Sequence, residues 1–184
     1  MELWDAYDSD FRKVDGVALI RGEPIPEGLR HLVCDVIVRH TDGSYLLMQR
    51  DMRKQYGGMW EASAGGSALQ NDTPAVCAAR ELLEETGIRA DHLEEVGRTT
   101  TRDTFYVEFL CVTDCAKDSV RLQQGETVDY RWVGAPEFFR LLRTEPVLKK
   151  QYPRYKPYLD SLEQQTKLIP GFIPETGGPQ DVQP

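Results

Sequence analysis

The stretch GGSALQNDTPAVCAARELLEETGI, residues 65–88, decides the fold. It joins two glycines to a helical segment that carries several carboxylates. With about 100° of rotation per residue, Glu81, Glu84 and Glu85 fall in one narrow sector of this helix. The opposite side is predicted to face the core through five apolar residues: Ala75, Val76, Ala79, Leu82 and Leu83. The sequence therefore assigns one helical face to packing and the other to chemistry.

The ends of this helix carry their own signals. The hydroxyl of Thr73 is suited to cap the first turn, and Pro74 suits the first helical position. Gly87 suits the left-handed residue that ends a helix. We therefore predict a helix between Thr73 and Gly87, preceded by a tight loop at Gly65 and Gly66.

Three carboxylates in one sector repel each other, which destabilises the helix unless a cation or a hydrogen-bond network compensates. A divalent metal ion does this directly. Ligands that are all oxygen favour hard ions, so Mg²⁺ or Mn²⁺ is expected. Mg²⁺ commonly pairs protein carboxylates with substrate phosphates, and the pattern therefore indicates phosphate chemistry.

Strong strand patterns lie on both sides of this segment. Residues 31–39, HLVCDVIVR, are nearly continuously apolar, as in a central strand buried on both faces. Asp42 and Gly43 then favour a hairpin turn into a returning strand at residues 44–49. Residues 104–113 are rich in aromatic and β-branched side chains. We predict a mixed β-sheet, with further strands at residues 60–64, 94–100 and 130–133 and helices at residues 135–143 and 158–165.

The chain length of 184 residues suits one domain with short additions. Residues 1–28 are predicted to form an N-terminal extension with short strands. The main domain is predicted over residues 29–165. Residues 166–184 are rich in proline and glycine, so we expect an irregular or disordered C-terminal tail.

Composition narrows the class of protein. The 40% hydrophobic and 28% charged content is typical of a globular domain, and no apolar run reaches the roughly 18 residues of a membrane span. The acidic start MELWD does not resemble a secretory signal, so a cytoplasmic location is expected. The net charge of −8 argues against binding of duplex nucleic acid. A monomer and a homodimer are both compatible with the sequence.

A basic loop precedes the two glycines. It contains Arg50, Arg53 and Lys54, the most basic local group in the first half of the chain. Together with Gly65 and Gly66, Arg50 and Arg53 are candidate substrate-binding residues for an anionic ligand. The alternative is an ordinary solvated turn, since scattered surface Arg and Lys are common.

The spacing in residues 65–88 resembles the signature of the Nudix hydrolases. That signature is G-x5-E-x7-R-E-U-x-E-E-x-G-U, where U is a bulky aliphatic residue. Its matching positions here are Gly66, Arg80, Glu81, Leu82, Glu84, Glu85, Gly87 and Ile88. One position departs from the pattern, because Asp72 stands where the family usually has glutamate. This many fixed positions in one segment make the resemblance far more specific than a lone glycine motif.

The resemblance implies an α/β/α sandwich around a mixed sheet and hydrolysis of a nucleoside diphosphate linked to another group. It implies that Glu84 and Glu85 are the principal metal ligands and that Glu81 is a further ligand or a base. Arg80 would hold the motif in shape by pairing with a nearby acid. Asp72 would act through a metal-bound water, unless it only stabilises the helix start.

Glu126 is a weaker candidate for a metal ligand. The family often brings another acid to the metal from such a loop, but loop glutamates are commonly just exposed.

The segments around the motif are also similar to isopentenyl-diphosphate isomerase, over most of residues 1–165. That isomerase carries a cysteine and a histidine after the tryptophan, where this chain has Trp60-Glu61-Ala62-Ser63-Ala64. Hydrolysis is therefore favoured, and an isomerase or a non-catalytic nucleotide-binding module are the alternatives. A displaced acid for the isomerase would have to be Cys34 or His31.

Overall fold

The computed structural model describes the backbone of residues 1–167 and the side chains of residues 1–162. The strands are β1 (Leu3–Tyr7), β2 (Lys13–Ile20), β3 (His31–His40), β4 (Tyr45–Arg50), β5 (Trp60–Ala62), β6 (Ala64–Ser67), β7 (Glu94–Thr100), β8 (Thr104–Thr113) and β9 (Thr127–Val133). The α-helices are α1 (Pro74–Thr86), α2 (Ala135–Thr144) and α3 (Pro146–Lys167). The tail was predicted from residue 166, but α3 continues to Lys167. The rest of the predicted tail, residues 168–184, lies outside the described residues.

The central sheet is mixed, as the sequence predicted. Its main order is β5-β4-β3-β8-β7, with β6 pairing β3 and β9 pairing β4. Strands β3 and β8 run parallel over ten residue pairs, from His31 opposite Thr104 to His40 opposite Thr113. The other pairings in this sheet are antiparallel. The apolar strand β3 therefore lies in the middle, where both of its faces are covered.

Helices cover both faces of the sheet. On one face α1 packs through Cys77, Ala78 and Leu82 against alternate residues of β3. On the other face α2 and α3 pack against a second cluster, which includes Ile37 and Leu110. The fold is therefore an α/β/α sandwich, which confirms the predicted class.

The predicted ends of α1 are confirmed. The hydroxyl of Thr73 accepts a hydrogen bond from the Val76 backbone N–H at 3.3 Å, and Pro74 opens the helix. Gly87 adopts the left-handed conformation with φ 73°, and its N–H donates to the Leu83 carbonyl. These signals are local in sequence, which is why they could be identified before the fold was known.

The predicted core face of α1 is wrong in part. Ala75, Val76 and Ala79 are exposed, with Val76 at 53%. The buried residues of the helix are Cys77, Ala78, Leu82, Glu85 and Thr86. The helix is rotated because its acidic sector packs toward β6, where two glycines leave room for carboxylates. The acidic sector is therefore turned partly inward and only partly toward water.

Two other element predictions need correction. Gly65 and Gly66 lie within strand β6 and pair with Asp35 and Cys34 of β3, so they do not form a loop. Helix α3 begins at Pro146, well before the predicted residue 158. Its internal prolines, Pro153 and Pro157, lie on the exposed side, where they disturb no packing against the sheet.

The N-terminal extension folds as an antiparallel pair, β1 with β2, around a small core of Trp4, Ala6 and Leu19. It rests against the start of β3, because the Trp4 ring stacks on His31 at 4.6 Å between centroids. Tyr7 and Arg30 exchange two backbone hydrogen bonds of 2.9 Å. Across residues 1–167, no helix combines the length and hydropathy that crossing a membrane requires.

Candidate active site

The three motif glutamates occupy different environments at the C-terminal half of α1. Glu85 is only 6% exposed. The side chain of Glu81 is 13% exposed and that of Glu84 is 46% exposed. The helix therefore presents two inward carboxylates and one at the rim.

The two glycines of β6 make space for these carboxylates. The Gly65 N–H donates to Oε2 of Glu85 at 3.2 Å. A Cβ atom at Gly66 would lie 2.4 Å from the carboxyl carbon of Glu81, and one at Gly65 would lie 2.3 Å from Oδ1 of Asp35. Any side chain at these positions would displace a carboxylate, so glycine is required by close approach.

Glu61, in strand β5, is a site residue that the sequence analysis missed. It pairs across the sheet with Met48, whose side chain belongs to the α1-side core, so Glu61 points to the same face as α1. Its carboxylate is 13% exposed and forms an ion pair with Arg50. The sequence signal that could have identified Glu61 was a charged residue in a predicted strand just before the glycine pair. Glu61, Glu81, Glu84 and Glu85 are called the acid cluster below.

The acid cluster holds more negative charge than its surroundings balance. Burial, together with the nearby charges of Glu61 and Glu81, raises the pKa of Glu85 to about 8, while Lys54 opposes the shift. Burial also raises the pKa of Glu81, an effect that Arg80 opposes and Glu84 reinforces. Such crowding would be relieved by a bound cation.

Arg80 is the main cation within the motif. Its guanidinium donates to Glu81 at 2.5 Å, to Asp72 at 3.1 Å and to the Ser67 carbonyl at 3.1 Å, and it lies 3.7 Å from Glu84. These contacts place Arg80 as a brace between the motif loop (residues 67–73) and the helix.

Asp72 faces Arg80. Its Oδ2 atom accepts from Arg80 and also from the Leu69 N–H, at 3.0 Å. Both contacts have ordinary hydrogen-bond lengths, and the Asp72 side chain is 16% exposed. In this arrangement the carboxylate closes the motif loop and fixes Arg80, and it does not point into the acid cluster.

The basic loop lies beside the acid cluster, but its residues are not equivalent. Arg50 donates to the Gln55 carbonyl at 3.0 Å besides pairing with Glu61, so it also shapes its own loop. Arg53 is 73% exposed and pairs with Asp51 at 2.8 Å. Lys54 pairs with Glu126, which joins the basic loop to the loop that contains Gly125.

Among the described residues, no three His, Cys, Asp or Glu side chains converge closely enough to hold a metal ion as they stand. The chemistry of the donors nevertheless fits a hard divalent cation, because the acid cluster offers only carboxylate oxygens with an excess of negative charge. Glu81, Glu84 and Glu85 are the residues that could hold it, with Glu81 releasing its bond to Arg80.

The residues that an isomerase would need are engaged in structural contacts. Ser63 accepts from the Val38 N–H at 2.8 Å and donates to the Leu46 carbonyl at 2.9 Å. The Cys34 thiol is fully buried against Cys77, and this contact together with burial raises its pKa strongly. His31 stacks on Trp4 of the extension. None of these three side chains is placed as an acid toward the site.

Comparison with known proteins agrees with this geometry. The NUDIX domain family model matches residues 29–155. An uncharacterised Nudix hydrolase of Listeria monocytogenes is 31% identical over 144 residues, which cover 74% of this chain and 82% of the relative.

Solved structures share the fold. A protein from Deinococcus radiodurans superposes with a TM-score of 0.63 at 19% identity, covering 78% of this chain and 91% of its own. The NUDIX domain of Shewanella oneidensis NrtR, complexed with ADP ribose, has a TM-score of 0.52 at 15% identity, covering 76% and 89%. With the family model spanning most of its length and a relative of this similarity, the chain belongs to the Nudix hydrolase family.

Proposed function

We propose that this chain hydrolyses the diphosphate bond of a nucleoside diphosphate linked to another group, or of a related organic diphosphate, with Mg²⁺ or Mn²⁺. The observation that carries the proposal is the acid cluster, in which three largely buried carboxylates and a fourth at the rim have too few cations to balance them. A site of this charge would attract a divalent cation, and the cation would in turn allow an acidic protein to bind a diphosphate.

The roles of the residues follow from their positions. A bound cation would neutralise the diphosphate and lower the pKa of attacking water. Glu84 and Glu85 would hold the cation, and Glu81 would serve as a further ligand or accept the proton of the water. Arg80 keeps Glu81 and the motif loop in place. Direct attack by water needs no covalent enzyme intermediate.

Glu61 and the basic loop supply the surroundings of this centre. Glu61 adds a fourth carboxylate beside Glu85, so it contributes to the charge that attracts the cation and orients Arg50. Lys54 and Arg53 are the candidate cations for a bound phosphate. Lys54 is the better placed of the two, because its charge acts on Glu85 in the acid cluster.

The substrate class is a small-molecule diphosphate. ADP-ribose belongs in the first set of candidates, since a NUDIX domain of the same fold binds it. Residues 29–165 would form the catalytic domain, as a monomer or a homodimer. An isomerase is not favoured, because the strand that would carry its cysteine and histidine has Glu61 and Ser63 at the corresponding stretch.

A hydrolysis screen tests the proposal. Purified protein is incubated with nucleoside triphosphates, nucleotide sugars, ADP-ribose, dinucleotides, CoA and isoprenyl diphosphates, each with Mg²⁺ and with Mn²⁺, and the products are identified. We expect metal-dependent release of a phosphate-containing product from at least one compound, lost in Glu85→Gln. A folded protein that releases nothing would favour a non-catalytic binding module, and isomerised isoprenyl diphosphate would favour the isomerase.

A further inference from the structure

The N-terminal extension is bonded to the motif loop by a compact set of polar contacts. Asp5, in β1, is 4% exposed, and its Oδ2 atom accepts from the Asn71 N–H at 2.9 Å. Lys13, in β2, lies 2.9 Å from the same oxygen. Lys13 also donates to the side-chain oxygen of Asn71 at 2.9 Å. Asp5, Lys13 and Asn71 therefore form a closed triangle, called the clamp below.

The clamp acts on the strained residue of the loop. Asn71 has φ 70°, a left-handed conformation that costs a non-glycine residue free energy unless its surroundings hold it. The preceding residue is held as well, because the Gln70 N–H donates to the Leu3 carbonyl at 2.9 Å. The extension thus fixes two consecutive residues just before Asp72.

Asp72 passes this constraint to the acid cluster. It is adjacent to Asn71 in the chain, and its carboxylate pairs with Arg80 at 3.1 Å. The Arg80 guanidinium forms ion pairs with both Asp72 and Glu81. Arg80 already pairs with Glu81, so a metal ion has to compete with it for that carboxylate. If Asp72 moves away, Glu81 and Glu84 alone share the charge of Arg80, and this competition becomes stronger.

We propose that Asp5 and Lys13 are positioning residues of the active site, which hold Asn71 so that Asp72 shares the charge of Arg80 with Glu81. The proposal rests on the proposed function, because it assigns Glu81 to a metal ion. It also gives the extension a role beyond packing. Neither residue touches the acid cluster, so their effect on it is transmitted through the motif loop.

The test compares Lys13→Met with Arg12→Met as the matched control. Arg12 is in the same hairpin, and its ion pair among the described residues is with the exposed Asp10, at 3.3 Å. Mn²⁺ binding is measured by electron paramagnetic resonance without substrate, and backbone exchange of residues 69–72 by hydrogen–deuterium exchange. We expect Lys13→Met to weaken Mn²⁺ binding by about 10-fold and to speed this exchange. Arg12→Met should change neither, and Lys13→Arg should restore most of the affinity.

Asn71→Gly is the second variant, in case Lys13→Met does not fold. Glycine keeps the left-handed backbone and removes only the side-chain bond to Lys13. It should weaken Mn²⁺ binding in the same direction, and kcat should fall while KM stays within about twofold. Mn²⁺ affinity within twofold of wild type in both Lys13→Met and Asn71→Gly would overturn the proposal.

The outcomes separate this proposal from the proposed function. Wild-type protein that binds Mn²⁺ but hydrolyses nothing, with weaker binding in Lys13→Met, would refute the hydrolase and leave the clamp supported. Hydrolysis by the wild type with unchanged Mn²⁺ affinity in the clamp variants would refute the clamp alone. A wild type that binds no Mn²⁺ would overturn both.

Discussion

Gly66→Ala should displace a candidate metal ligand while leaving the fold intact. The added Cβ atom would lie 2.4 Å from the carboxyl carbon of Glu81 and 2.5 Å from each of its oxygens. An ordinary contact begins near 3.4 Å, so the difference, 3.4 − 2.4, requires the carboxylate to retreat by about 1 Å. The retreat is possible because the obstructing group is the end of a flexible side chain.

A shift of about 1 Å at a reacting centre costs about 100-fold in rate, which corresponds to about 2.7 kcal/mol of transition-state stabilisation. Stability should change far less. Gly66 lies in a strand without a positive φ, so alanine adds no backbone strain there. We expect the free energy of unfolding to change by less than about 1 kcal/mol.

The assay is kcat/KM on the best substrate of the hydrolysis screen, with thermal unfolding measured on the same samples. Gly134→Ala is the control, because the nearest atom to its new Cβ is 3.9 Å away. Combining Gly66→Ala with Glu81→Gln should lose little more than Glu81→Gln alone, since both act through one carboxylate. Activity of Gly66→Ala within about threefold of wild type would refute the assigned role of Glu81.

Three further predictions concern carboxylates. Glu84→Gln and Glu85→Gln should each lower turnover by about 100-fold without lowering the melting temperature, and near-normal activity in both would contradict the site assignment. Asp72→Ala should lower the free energy of unfolding by about 1–2 kcal/mol in urea melts, because Arg80 loses one of its partners. Asp72→Glu should retain turnover. An activity-silent Asp72→Ala would leave only the structural role. Burial raises the pKa of Glu108 to about 8, so the folded state keeps a proton that the unfolded state releases near pH 4.3. The free energy of unfolding should therefore fall from about pH 5 to pH 8, and Glu108→Gln should flatten that fall in denaturant melts at several pH values.

The features that sequence predicted well are set by neighbouring residues. Thr73, Pro74 and Gly87 define a helix through contacts within one turn, so their meaning does not depend on the rest of the fold. The apolar run of β3 likewise requires cover on both faces wherever it lies in the sheet. The mixed sheet follows from such local patterns, whereas the α/β/α arrangement was implied by the resemblance to the family.

Features that depend on a partner segment could not be predicted in this way. Glu85 was assigned to the chemical face of α1, but whether that face meets water or a strand is decided by β6. Val76 was assigned to the core from the helical rotation alone, and it is exposed because the position of β6 decides which face of α1 is buried. Glu61 was passed over because its direction depends on the pairing with Met48, which is fixed only when β4 and β5 are aligned.

The departure at position 72 gains a physical explanation from the clamp. Asp72 reaches both Leu69 and Arg80 with a side chain one methylene shorter than glutamate, because the motif loop is held close to the helix by Asp5 and Lys13. The short acid and the polar contacts of the extension are therefore parts of one arrangement, in which Asp72 and Glu81 share Arg80.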